Sequence, residues 1–73
     1  MVAMYTFVKS LRKADRTRRY TIQTAASGWE VREEEGTEIT GQRWYQDWHR
    51  VERARLSITM KLDALREQGW RDV

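Results

Sequence analysis

From Tyr20 to Ala25 the chain alternates, with Tyr20, Ile22 and Thr24 on one side and Thr21, Gln23 and Ala25 on the other, which is the period of a half-buried strand. Ala26, Ser27 and Gly28 supply small residues and a glycine for a turn, after which Trp29 and Val31 alternate with Glu30 and Arg32. The pattern predicts a hairpin whose apolar face is built from Tyr20, Ile22, Trp29 and Val31. A second turn at Glu35, Gly36 and Thr37 leads into a third strand, where Gly41 marks a bulge. The expected strands cover residues 18–25, 29–35 and 38–45, joined as an antiparallel meander.

Asp47 then reads as a helix N-cap, because its carboxylate can accept from the free amides of a first turn, and neither glycine nor proline follows before Gln68. At about 100° per residue, Trp48, Val51, Ala54, Ile58, Leu62 and Leu65 fall on one stripe that should face the sheet. Gly69 suits the left-handed position that ends a helix, with Trp70 folding back on Leu65. A competing period is present: Ala54, Leu56, Ile58, Met60, Leu62 and Ala64 alternate with polar residues, as a strand would. Flanking stretches without alternation, strong helix formers and excessive length for a strand favour the helix, over 47–68. Leu56, Met60 and Ala64 then form a second apolar patch away from the core stripe.

The first residues carry both patterns. Met1, Met4, Tyr5, Val8 and Leu11 fit one helical face, whereas Tyr5, Thr6, Phe7 and Val8 have strand composition. The expectation is a short N-terminal helix or extended segment, continuing as a basic linker. The chain as a whole reads as one α+β domain over 1–73: an N-terminal segment and linker (1–17), a small three-stranded antiparallel meander (18–45) and one long C-terminal helix (47–68).

Composition narrows the functions available. A 73-residue domain has barely enough core to fold unaided, and with no cysteine it has neither disulfides nor thiolate ligands. Four Trp, three Tyr and one Phe offset this, since each buried aromatic removes ~150–250 Å² from water. No apolar run approaches the ~18 residues of a membrane span, and charge follows rather than precedes the N-terminal apolar block, unlike a secretory signal. The expected location is cytoplasmic. Serines at positions 10, 27 and 57 have no glycine-framed elbow, and the four glycines are dispersed, so neither a nucleophile nor a phosphate-cradling loop is evident. His49 with Asp47 and Glu52 lacks enough ligands for a metal and reads as a capped helix start bearing a surface histidine. The expectation is therefore a non-catalytic binding protein without metal, cofactor or evident small-molecule substrate.

Charge is sorted along the chain. Residues 1–28 hold six basic side chains and one acid, net +5, against −2 for the remainder and +3 overall. Clustered basic residues neutralise phosphates irrespective of base sequence. Lys9, Arg12, Lys13, Arg16, Arg18, Arg19 and Arg43 are accordingly the candidate nucleic-acid contacts. A solvated arm, or pairing of this run with the acidic stretch Glu33 to Glu38, is the competing account. The string Arg43, Trp44, Tyr45, Trp48, His49 and Arg50 has the ingredients of a base-stacking surface, although most such aromatics are core. In a strand Trp44 and Tyr45 face opposite sides, so one of them should leave the helix-covered face. Leu56, Met60 and Ala64 are the candidate interface for a second copy of the chain or another protein, unless Val2, Tyr5 and Val8 cover them.

Overall fold

The computed structural model describes residues 5–73; the readings that involve Met1, Val2 and Met4 lie outside them. Five strands and one helix follow in the order β1 (Thr6–Lys13), β2 (Arg16–Ala25), β3 (Gly28–Glu35), β4 (Glu38–Tyr45), α1 (Trp48–Glu67) and β5 (Arg71–Asp72). They build an antiparallel sheet of order β4-β3-β2-β1-β5 with α1 packed on one face. The α+β class with one C-terminal helix is as the pattern predicts. The strand count is not: the sheet has five strands rather than three.

The difference arises at the N-terminal segment. Residues 6–13 take the extended alternative rather than the helix, and instead of leading into a linker they form a strand paired with β2 along its whole length, from Thr6 opposite Gln23 to Lys13 opposite Arg16. Period two wins because it places Tyr5, Phe7 and Leu11 on the side facing α1, where Leu11 is fully buried and Tyr5 and Phe7 pack against the core. It also gives β2 a hydrogen-bonded neighbour on both sides, so that Ile22 lies in an interior strand and is completely buried. The β1–β2 turn is two residues long, with Ala14 at φ 55°. After α1 the chain returns to the sheet as β5, pairing Leu11 with Asp72 and Arg12 with Arg71.

Elsewhere the local rules hold. Asp47 caps α1, its Oδ1 accepting from the His49 amide at 2.9 Å. At the far end Trp70 N–H donates to Leu65 and Gly69 N–H to Arg66, with Gly69 at φ 100°, the Schellman pattern expected of Gly-Trp. Val51, Ile58, Leu62 and Leu65 bury themselves against Leu11, Tyr20, Ile22, Val31 and Trp70. The β3–β4 register shifts between Glu33 and Glu34, beside Gly41, as a bulge requires. Trp48 stacks edge-on against Tyr5 (5.1 Å) and tilted against Trp29 (5.3 Å), closing one end of the two layers. No helix among the described residues is long and apolar enough to cross a membrane.

Candidate nucleic-acid interface

Strand alternation divides the basic run between the two faces of the sheet. Lys9, Lys13, Arg16 and Arg18 lie on the α1 side, cross-strand from Tyr20, Arg16, Lys13 and Leu11; Arg12 and Arg19 emerge on the opposite, uncovered face. Much of the first group is engaged within the molecule. Arg16 and Arg18 reach the two oxygens of Glu35 at 2.8 and 3.1 Å, and both guanidinium groups lie over the Trp70 ring. Hydrogen bonding from Arg16, reinforced by the Arg18 charge, holds the Glu35 carboxyl below its ordinary range. Lys13 donates to the Gln68 carbonyl at the end of α1. The acidic stretch therefore serves as an internal partner for this part of the run, and Lys61 of α1 pairs with Glu33 at 2.9 Å.

Arg43 has a different setting. β4 is an edge strand, and Arg43 lies on its α1 side opposite Val31. Across from it, Arg50, Arg53, Ser57 and Lys61 recur every three or four residues along one flank of the helix, just beside the buried stripe of Val51 and Ile58. The strand edge and this flank enclose an open groove of about 680 Å³, floored by Val31, Gly41, Ala54 and Ile58. Among the described residues Arg43, Arg50 and Arg53 make no ion pair, whereas Glu33, the acid that lines the groove, is held by Lys61. The groove thus presents three unpaired guanidinium groups, whose planar donor sets match phosphate oxygens.

A second depression, of about 460 Å³, adjoins it at Tyr45 and Arg50, which line both. Its walls include Trp44, Trp29, Gln46, Asp47 and the β2–β3 turn. Of the adjacent aromatics in β4, Tyr45 packs against the core and Trp44 is the one turned outward, 64% exposed. Gly28 sits at the turn end with φ 149°, and a Cβ there would collide with the Tyr45 carbonyl. Gly28→Ala is expected to lower stability by about 1–3 kcal/mol from backbone strain alone, with the steric conflict adding to it. A denaturation midpoint equal to that of the parent protein would show that this close approach of β3 to β4 is not needed.

Among the described residues, the sheet face away from α1 bears one buried charge. Glu30, 6% exposed, accepts from Gln23 at 2.7 Å, from Arg32 at 2.8 Å and from Gln42. Led by the Gln42 hydrogen bond, these donors outweigh burial and lower its pKa to about 2. On the outer side of α1, Leu56 and Met60 are 64% and 66% exposed and Ala64 is exposed with them. Val8, expected to help cover them, stands instead on the far face of the sheet, and Tyr5 packs on Trp48.

Sequence reasoning named Arg43 and placed Arg50 among aromatic neighbours, but did not single out Arg53. Its signal was available: Arg50, Arg53, Ser57 and Lys61 follow helical spacing along one border of the apolar stripe. Comparison with protein-family models, with curated proteins and with solved structures gives no match.

Proposed function

We propose that this is a small, non-catalytic, cytoplasmic nucleic-acid-binding protein whose phosphate contacts are made in the groove between β4 and α1. The carrying observation is the convergence of Arg43, Arg50 and Arg53, unpaired, on one concave surface. The remaining candidates fit a lesser role. Arg16 and Arg18 are occupied by Glu35, while Arg12 and Arg19 point away from the groove and add to the positive field that draws a polyanion in.

Three phosphate contacts predict a logarithmic salt slope of roughly −2 on a single strand, hence about a twenty-fold fall in affinity between 50 and 200 mM salt. Fluorescence anisotropy of a labelled mixed-sequence oligonucleotide measures this directly. Replacing Arg43, Arg50 and Arg53 together by Glu should reduce affinity at least tenfold and flatten the slope, while an Arg12→Glu, Arg19→Glu double variant should lose much less. Equal affinity of the triple variant and the parent protein sinks the proposal.

A second reading, a homodimer or protein adaptor, is favoured by the exposure of Leu56 and Met60 one turn apart on α1. Sedimentation at increasing concentration tests it. Mass that rises for the parent chain and stays monomeric for Met60→Glu supports self-association, and an invariant monomer removes that form of it.

A further inference from the structure

We infer that the ligand is single-stranded nucleic acid, with its backbone on the groove arginines and an unpaired base stacked on Trp44. This rests on the proposed function and specifies the substrate class of the same site. The two depressions adjoin, with Tyr45 and Arg50 lining both. Arg43 and Trp44 are successive residues of an edge strand and project to its two sides, Arg43 paired with Val31 on the helix side and Trp44 with Glu30 on the other. A strand running along the groove therefore meets a cationic wall and then, around the free edge of the sheet, an outward-facing indole.

A base can follow that path only if it is free to leave its partner. In a duplex the faces of the bases are occupied by stacking, and only their edges are presented in the grooves. An unpaired base has a free face for the indole, in the manner of single-strand binders that combine a basic track with aromatic platforms. Charge is graded to suit. Arg50 stands where the depressions join, and Asp47 lies at the Trp44 end, where a carboxylate can accept from a base amino group and repels phosphate. Glu30, cross-strand from Trp44, is neutralised by Arg32 and has its oxygens occupied by two amides, so it adds little repulsion. Trp44 also lies outside the buried core, which leaves it available to a ligand.

The test compares Trp44→Ala, Trp44→Tyr and the parent protein by anisotropy on three probes: a mixed-sequence single strand, the duplex of the same sequence, and heparin as a polyanion without bases. Amide spectra establish that each variant is folded. Trp44→Ala should weaken single-strand binding roughly 5- to 100-fold and leave heparin unchanged, Trp44→Tyr should retain most of the affinity, and the parent should prefer the single strand to the duplex. If Trp44→Ala binds the single strand as the parent does while the triple arginine variant does not, stacking is refuted and the phosphate groove stands. Parent affinity for the duplex equal to or above that for the single strand also refutes the inference. If the triple arginine variant binds every probe normally, the underlying reading fails as well.

Discussion

Replacing Ile22 by Ala is expected to leave the domain largely unfolded at room temperature. Ile22 lies in β2 with no exposed surface, cross-strand from Phe7 and Val31 and within the cluster that α1 covers. Truncating such a side chain removes its transfer free energy and leaves a cavity, together about 2–5 kcal/mol. A domain of this size rarely has more than about 3–5 kcal/mol in total. Four hairpin-linked strands and the helix depend on the one cluster, and the described residues contain no second core to retain partial structure. Urea denaturation followed by far-UV circular dichroism, with amide dispersion as a check on folding, provides the measurement. Leu56→Ala on the exposed side of α1 is the control, expected to stay within about 0.5 kcal/mol of the parent. An Ile22→Ala variant with the parent's midpoint would mean that the centre of the core lies elsewhere.

How far such a core could be read from the chain depended on whether each turn announced itself. Gly28 and Gly36 marked two of the hairpin turns, and β3 and β4 fall where the alternation places them, β4 to the residue. The helix was equally legible, since Asp47 and Gly69 fix its ends and four stripe residues are buried. The β1–β2 hairpin was not. Its turn is Ala14-Asp15, and Ala14 takes a left-handed φ without the glycine or asparagine that usually signals one. The two flanking strands are also rich in charge, so Lys9 to Arg19 looked like a solvated run rather than two paired strands. β5 is two residues long and formed by Arg71 and Asp72, too short for any periodicity. The alternation in α1 that competes with the helix has no bearing on its packing, because Leu56, Met60 and Ala64 all end exposed.

The same distinction applies to the candidate site. A run of cations along the sequence is a strong compositional signal, yet strand geometry sends its members to two faces and ion pairing engages two of them with Glu35. The groove cations are far less conspicuous, because Arg43 and Arg53 are ten residues apart in different elements and converge only when α1 folds back over β4. Unpaired charge in a concavity, rather than local charge density, is the property that favours phosphate, since paired guanidinium groups have to be released before they can bind it. Reading that property requires knowing which face each residue takes.

Glu30→Gln is expected to cost roughly 3 kcal/mol near neutral pH and to remove much of the domain's sensitivity to acid. The carboxylate is buried against the outer sheet face and receives only donors, from Gln23, Arg32 and Gln42. Glutamine in its place turns an amide N–H₂ toward those donors and leaves Arg32 without its counter-charge, the kind of loss that makes breaking a buried pair expensive. Partial exposure of Arg32 lets water recover some of this, which keeps the expected cost at the lower end. The pH dependence follows from the lowered pKa. Glu30 titrates near 4.5 when unfolded and at about 2 in the fold, so the unfolded chain takes up its proton first. Its contribution is complete above about pH 5 and is lost as pH falls through 4.5 toward 2. The displacement corresponds to about 3 kcal/mol. Glu35 and Asp72 are shifted in the same direction by Arg16 and Arg66, so the parent's acid profile is composite. The difference between parent and Glu30→Gln isolates the one carboxyl: their stabilities in guanidinium denaturation should converge as pH is lowered from 6 to 3. Stability curves that run parallel across that range would show that Glu30 is not held as an ion by its three donors.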